Sequence, residues 1–180
     1  MKVLIQNCRV VSPGIDLNSA SILVENGKIA RIIPAGAELP EAGQVIDATG
    51  LTAMPGFVDV HCHGRNNFDF CDASVEGVNT IALNKLAEGV TTLLPTTLTL
   101  PERELAATLE SVAQYNRKGC KLPGSHLEGP FINPKCTGAQ NPAYVRLPDA
   151  AEKGGDSGSG GVSLVKCETP VFGRENMKGF

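Results

Sequence analysis

The sequence contains no apolar run that approaches the roughly 18 residues of a membrane-spanning helix. It also lacks a cationic region: the formal net charge is −3, and the charged residues are dispersed along the chain. These two absences predict a protein with no membrane partner and no nucleic-acid partner. The first residues become polar before the apolar core of a signal peptide can form, which predicts a cytoplasmic location.

Paired cysteines are absent as well, because none of the six cysteines forms a Cys-x-x-Cys pair. Their scatter, with no export signal, predicts reduced thiols rather than a disulfide framework. Internal repeats are not evident. The 180 residues are 42% hydrophobic, which is enough to bury a core. About one domain, or one and a half, is the expectation from this length.

Histidine is scarce, and two of the three histidines stand one residue apart. They end a segment, residues 54–64, that reads as a Pro-Gly turn followed by a short apolar strand. Side chains alternate along a strand, so His61 and His63 are expected to point the same way. Asp59 and Phe57 are expected in line beneath them. Two neutral imidazoles so placed can bind one metal ion, and the alternative is two exposed or hydrogen-bonded histidines at a strand end.

Residues 1–53 read as short β-strands separated by turns. Two β-branched runs, residues 3–5 and 8–11, precede a turn, and Asn26-Gly27 predicts a two-residue hairpin. The pattern predicts an incomplete half of a small β-sandwich. Its missing strands are not found among these residues.

From residue 54 the pattern alternates between strands and helices. Apolar spacing predicts a helix from about Ser74 to Glu88, closed by Gly89, and then a buried strand over residues 90–94. Thr99 is the predicted N-cap of a second helix, which runs to about Lys118. A strand over residues 124–128 follows. This order is typical of parallel βα units.

Three motifs resemble one enzyme family. Pro55-Gly56-Phe57-Val58-Asp59-Val60-His61-Cys62-His63-Gly64 resembles the first barrel strand of the amidohydrolase superfamily. His126-Leu127-Glu128-Gly129-Pro130-Phe131-Ile132-Asn133 narrows the resemblance to the N-acetylglucosamine-6-phosphate deacetylases, and Gly89-Val90-Thr91-Thr92-Leu93-Leu94-Pro95-Thr96 also fits that family. The resemblance covers residue 1 to about residue 153.

The resemblance implies an α/β fold, truncated, in which a small β-sandwich subdomain precedes part of a (β/α)8 TIM barrel. Residues 1–53 would form the incomplete sandwich subdomain, and residues 54–153 the first βα units of the barrel. A complete barrel needs at least about 200 residues, so about three units are expected here. Residues 154–180 read as a Gly/Ser-rich linker and an unmatched tail. Either the chain is a truncated or frame-shifted copy, or the tail is a natural short form.

The resemblance also implies a metal site. His61, His63 and Glu128 are the expected ligands of a divalent metal, zinc or iron, with one or two ions in the full-length family. Two later histidines of the family have no counterpart here. His126 is expected to be packed near the site rather than to bind the ion.

The implied reaction is hydrolysis of N-acetylglucosamine 6-phosphate to glucosamine 6-phosphate and acetate. Ala139 and Gln140 match positions that contact the sugar in the family, and the alternative for them is an ordinary polar loop. The family's general acid/base aspartate lies beyond the resemblance, so no catalytic residue is assigned and little or no activity is expected of the 180-residue chain. A homodimer is implied for the full-length family.

Two other interpretations remain open. One is a different amidohydrolase, dihydroorotase-like or D-aminoacylase-like, which the run from His126 to Phe131 disfavours. The other is a non-catalytic metal-binding fragment, which the missing ligands and the missing acid favour.

Overall fold

The computed structural model describes residues 1–147, and these divide into two compact units. The first unit is Met1–Pro55, and the second begins at Gly56. Among the described residues, no helix is long and apolar enough to cross a membrane. The predicted linker and tail, residues 154–180, lie outside the described residues.

The first unit is one five-stranded sheet. Its strands are β1 (Lys2–Ser12), β2 (Ile15–Glu25), β3 (Lys28–Pro34), β4 (Gln44–Asp47) and β5 (Thr52–Ala53). The order is β3-β2-β1-β4, with β5 also paired to β1. Strands β1, β2 and β3 are joined as antiparallel hairpins, whereas β4 and β5 run parallel to β1. The sandwich subdomain itself stays a prediction, since the described residues of this unit form a single sheet.

The turn between β2 and β3 is the predicted two-residue hairpin. Asn26 and Gly27 both have positive φ angles, 51° and 75°. This is the backbone conformation that a type I′ turn requires, and asparagine and glycine adopt it most readily. The two predicted runs before Pro13 are a single strand, β1, whose register with β2 shifts between Ile5 and Cys8.

The second unit has a parallel sheet of three strands, β6 (Phe57–Cys62), β9 (Val90–Thr97) and β10 (His126–Leu127). Helix α1 (Val75–Ala87) connects β6 to β9, and α2 (Glu102–Ala113) connects β9 to β10. Two short strands, β7 (Gly64–Arg65) and β8 (Phe68–Asp69), form a hairpin before α1. The predicted alternation of parallel strands and helices is therefore present, and the chain is α/β.

Helix α1 has the predicted bounds, because its ends carry clear signals. The Ser74 hydroxyl caps the first turn by accepting a hydrogen bond from the Gly77 N–H (3.1 Å), and Gly89 after the last turn has a φ of 88°. Val78, Ile81 and Ala82 are buried against the sheet, in a cluster that includes Leu93 of β9. A fully buried aliphatic side chain contributes about 1.5–3 kcal/mol, so this face holds the helix to the sheet.

Three predicted features of the second unit are wrong. Helix α2 begins directly after Pro101, which occupies the N-cap position without a side-chain hydrogen bond, and it ends at Ala113, not near Lys118. Thr99 is not its cap: both the amide and the hydroxyl of Thr99 bind other segments. Strand β10 has only two residues rather than five; just beyond its end, the carbonyl of Glu128 accepts a hydrogen bond from the Thr99 side chain.

Candidate metal centre

Three side chains bring one donor atom each to a common point in the second unit. His61 Nε2 lies 3.2 Å from His63 Nε2. Glu128 Oε2 lies 2.8 Å from His63 Nε2 and 3.3 Å from His61 Nε2. The three side chains are 40%, 32% and 25% exposed for His61, His63 and Glu128 respectively. The cluster is therefore open to solvent on one side.

The two histidines lie at the end of β6, His61 within the strand and His63 directly after it, where the strand departs from regular pairing. The register of β6 with β9 shifts between Asp59 and Cys62. Asp59 contacts Lys85 of α1, and Cys62 is buried in the same cluster as the apolar face of α1. These two residues thus face the same helix although they are three positions apart. Strict alternation cannot produce this, so the prediction that Asp59 lies in line beneath the histidines is wrong.

Side chains add to the interrupted strand ladder in satisfying the backbone around His61. The His61 N–H donates to Asp59 Oδ1 (3.1 Å). The Cys62 N–H donates to Thr96 Oγ1 (2.9 Å). The Val60 carbonyl lies 3.1 Å from His126 Nδ1. Because a carbonyl oxygen only accepts, this contact places a proton on Nδ1 of His126. Each bond fixes one peptide group of the segment that carries the histidines.

His126 is buried, with 3% of its surface exposed. Its ring packs edge-on against the ring of His61, with centroids 4.9 Å apart. The ring of His61 also meets that of His63 edge-on, with centroids 5.1 Å apart. The predicted role of His126 as a packed neighbour agrees with this position.

Cys62 turns away from the cluster, as its place on the strand predicts. Its thiol is directed at the carbonyl of Gly64 (3.5 Å) within the core that α1 covers. Burial raises the pKa of the Cys62 thiol. The thiolate is the form of cysteine that binds metal, so a thiol held neutral in the core is a poor ligand.

An ion pair joins Asp59 of β6 to Lys85 of α1. Lys85 Nζ is 3.1 Å from Asp59 Oδ2, and the Lys85 side chain is only 16% exposed. Burial is the largest single influence and lowers the pKa of Lys85, but the hydrogen bond to Asp59 and the nearby charges of Cys62, Asp59 and Glu88 together raise it above its ordinary value. Lys85 is thus held as a cation beside Asp59.

Glu128 is fixed by a second set of bonds that the sequence did not reveal. The Thr99 hydroxyl donates to the Glu128 carbonyl (3.1 Å), and the Thr99 N–H donates to Gln140 Oε1 (2.6 Å). Gly129 has a φ of 89°, and a Cβ there would lie 1.9 Å from Thr99 Oγ1. Only glycine allows this close approach. The sequence predicts Thr99 as a helix cap, and no local pattern marks its actual partners.

The two predicted sugar contacts differ in exposure. Ala139 is exposed, whereas Gln140 is 7% exposed. The carboxamide oxygen of Gln140 is engaged by the backbone of Thr99. A sugar contact by these two residues stays a prediction.

The donor set fits a divalent metal ion. In a four-coordinate zinc site the bonds are about 2.0–2.2 Å long, so tetrahedral geometry separates ligand atoms by roughly 3.3–3.5 Å. The three separations here are 2.8, 3.2 and 3.3 Å, and all three donor atoms lie within 4.8 Å of one another. Two imidazoles with one carboxylate are also a set that zinc and non-haem iron accept.

Comparison with known proteins gives a consistent set of relatives, although no family model matches the chain. The chain is 27% identical over 153 residues to N-acetylglucosamine-6-phosphate deacetylase of Bacillus subtilis, covering 82% of the chain and 39% of the relative. It is 33% identical over 139 residues to N-acetylgalactosamine-6-phosphate deacetylase of Escherichia coli O157:H7, covering 76% and 35%. The chain thus spans little more than a third of the length of these relatives.

Solved structures agree with the sequence relatives. N-acetylglucosamine-6-phosphate deacetylase of Pasteurella multocida superposes with a TM-score of 0.73 at 26% identity, over 85% of this chain and 41% of that one. A mutant of the Mycobacterium smegmatis enzyme, in complex with N-acetyl-D-glucosamine-6-phosphate, gives 0.70 at 26% identity, over 85% and 39%. A triazine hydrolase variant, at 17% identity and a TM-score of 0.59, shares the fold alone.

Proposed function

Since the chain is related in sequence and fold to the N-terminal part of the N-acetylglucosamine-6-phosphate deacetylases, we propose that it carries the first part of a metal-dependent deacetylase site. In this proposal the second unit is the opening portion of an amidohydrolase barrel, about three βα units long. The convergence of His61, His63 and Glu128 on one point carries the proposal.

The three donor residues would hold one divalent ion, zinc or iron. Such an ion supplies a Lewis acid that polarises an amide carbonyl and lowers the pKa of a water molecule toward about 7. The protein's own part is to orient the donors. His126 packs against the ring of His61, and Thr99 holds the backbone of Glu128. The partial exposure of the cluster leaves room for a substrate to approach.

The substrate we propose is N-acetylglucosamine 6-phosphate, hydrolysed to glucosamine 6-phosphate and acetate. The support is that N-acetylglucosamine-6-phosphate deacetylases recur among the relatives, in bacteria and in mouse. Ala139 and Gln140 are the proposed sugar contacts. The second candidate is N-acetylgalactosamine 6-phosphate, which one relative at 33% identity favours. We also propose, from the family resemblance, that the full-length protein forms a homodimer.

The described residues offer no free carboxylate to act as general acid/base beside the cluster. Asp59 is the nearest in sequence, but its two oxygens bind Lys85 and the His61 N–H. Proton transfer to a leaving amine needs a group within hydrogen-bond reach that can exchange its proton. We therefore expect metal binding by the 180-residue chain and little or no turnover.

Zinc loading of the purified chain tests the proposal. After treatment with EDTA and addition of Zn²⁺, we expect one ion per chain to survive desalting. Glu128→Ala should lose it, because one of three donors is gone, whereas Glu104→Ala, an exposed residue of α2, should retain it. A wild-type chain that retains no zinc contradicts the proposed site.

Acetate release from the two sugar phosphates tests the expectation that the chain has little or no deacetylase activity. We expect little or none from either compound. Turnover that Glu128→Ala abolishes would show that the chain holds a complete catalytic set, contrary to the account above. A preference between the two sugars in that case would decide between the two candidate substrates.

A further inference from the structure

Lys85 connects helix α1 to the metal-binding segment through Asp59. It lies in the last turn of α1. Its ammonium group is 3.1 Å from Asp59 Oδ2 and 4.0 Å from Glu88 Oε2. The side chains of Lys85 and Asp59 are 16% and 25% exposed. Salt screens such a pair less than it screens a pair on the open surface.

The second oxygen of Asp59 reaches the backbone of His61. Oδ1 accepts the His61 N–H at 3.1 Å, at the place where β6 and β9 lose their register. The carboxylate thus bonds the His61 N–H where the pairing of β6 with β9 is interrupted. One oxygen is held by the helix, and the other holds the peptide group of a donor residue.

We propose that Lys85 is a positioning residue of the metal site, acting through Asp59 on the backbone of His61. The inference rests on the proposed function, because it gives Lys85 a role only if His61 binds an ion. Without the ammonium group, the partly buried Asp59 carboxylate loses its ion pair, and it turns toward water. The His61 N–H then loses its acceptor, and the imidazole loses its fixed direction relative to His63 and Glu128.

The expected size of the effect follows from other metal proteins. Removing a group that orients a ligand typically weakens metal binding about 10–100-fold. Because Lys85 acts through an intermediate residue, we expect Lys85→Met to weaken Zn²⁺ binding by about tenfold, the lower end of that range. Lys85→Arg keeps the cation and should keep most of the affinity. Asp59→Asn loses the ion pair that holds this side chain in place, and its uncharged oxygen is a weaker acceptor for the His61 N–H, so it should resemble Lys85→Met.

The test uses the full 180-residue chain and the metal alone. Zn²⁺ affinity is measured by competition with a chromophoric chelator, and the geometry of the site by the visible spectrum of the Co²⁺-loaded protein. The double variant Lys85→Met/Asp59→Asn should bind no more weakly than the weaker single variant, because both changes break the same link. Arg9→Met is the matched control, since it removes the exposed ion pair with Asp16 (2.7 Å) in the first unit.

The outcomes separate positioning from general stability. We expect altered affinity and an altered Co²⁺ spectrum in Lys85→Met, recovery in Lys85→Arg, and no change in Arg9→Met. A Lys85→Met protein that melts earlier in EDTA, yet binds Zn²⁺ with unchanged affinity and gives an unchanged Co²⁺ spectrum, overturns the inference.

Two further outcomes are also decisive. If Lys85→Met does not fold, the Zn²⁺ affinity of Asp59→Asn tests the inference in its place. Weakened Zn²⁺ binding by Asp59→Asn supports the inference, and wild-type affinity overturns it. If the wild-type chain binds no Zn²⁺, the proposed function fails, and the inference that rests on it fails for that separate reason.

Discussion

The two units differ in what satisfies the backbone of their strands. In the first unit, β1 is paired on both sides, with β2 on one side and with β4 and β5 on the other. In the second unit, β6 and β10 pair with β9, but the segments that carry His61 and Glu128 are also bonded by the side chains of Asp59, Thr96 and Thr99. Strand pairing repeats from residue to residue, whereas each side-chain bond in the second unit depends on a single residue.

The polar contacts that the two units depend on also differ in burial. In the first unit the ion pairs are exposed: Arg9 with Asp16 and Lys2 with Glu25. Pairs of this kind contribute about 0–1 kcal/mol. In the second unit Thr99 and Gln140 are 2% and 7% exposed. A buried group left without its partner costs about 1–3 kcal/mol. A single change near the proposed site should therefore cost more than one in the first sheet.

The largest effect is expected at Gly129. An alanine there meets Thr99 Oγ1 at 1.9 Å and has a φ of 89°. The left-handed backbone costs about 1–2 kcal/mol for a residue with a Cβ. Relieving the contact moves the Thr99 hydroxyl and breaks its hydrogen bond to the Glu128 carbonyl. Gly129→Ala should therefore lower the free energy of unfolding by about 3 kcal/mol or more.

Gly138→Ala is the matched control for that change. Gly138 also has a positive φ, 58°, but nothing lies within 4 Å of the position of its Cβ. The expected loss is about 1–2 kcal/mol, from the backbone alone. Urea unfolding of the two variants measures the difference. Equal losses would mean that the contact with Thr99 has no energetic importance.

A smaller effect is expected at Thr99. Thr99→Val removes the hydroxyl that donates to the Glu128 carbonyl and should cost about 1–3 kcal/mol. Thr52→Val makes the same chemical change at an exposed position of β5 in the first unit, and it should cost less than about 0.5 kcal/mol. If the two variants unfold at the same urea concentration, the contrast between the units is not one of stability.

The smallest effect concerns pH and Cys71. Burial raises the pKa of the Cys71 thiol to about 11, from an ordinary value near 9. The folded state therefore keeps this proton more tightly than the unfolded state. The stability linked to it is complete below pH 9 and is lost as the pH rises toward 11. Melting temperatures of wild type and Cys71→Ala between pH 8 and 11 measure this.

In that comparison, the wild type should lose slightly more stability than the variant above pH 9. The partial exposure of Cys71 keeps the difference small. Parallel curves for the two proteins would show that the thiol ionises equally in the folded and unfolded states.

Sequence reasoning succeeded where structure follows a repeating pattern or a strong local signal. Asn26-Gly27 gave the hairpin, and apolar spacing with Gly89 gave the bounds of α1. The order of strands and helices in the second unit also followed from such patterns. These features depend on residues that are close in the chain, so they are readable from it.

The errors fall where a side chain bonds the backbone. Strict alternation placed Asp59 on the wrong face, because the register shift before Cys62 leaves no mark in the sequence. Thr99 precedes a helix and looks like a cap, yet its partners are 29 and 41 residues away. Local patterns cannot report interactions of this separation.

At the proposed metal site, the motifs predict which residues donate ligand atoms but not which contacts orient those residues. His61, His63 and Glu128 came from motif spacing and family resemblance. Their supporting bonds from Lys85 and Thr99 became visible only in three dimensions. The burial of Gln140 likewise could not be read from a loop of polar residues. The metal ligands and the sugar contacts stay predictions until they are measured.

X-ray absorption at the zinc edge of the zinc-loaded chain tests the central claim most directly. That claim is that two imidazoles and one carboxylate meet to bind one divalent ion. We predict a first shell of nitrogen and oxygen only, at about 2.0–2.2 Å, with the outer-shell signature of two histidine rings. A sulfur atom at about 2.3 Å, or fewer than two imidazole rings, would contradict the account.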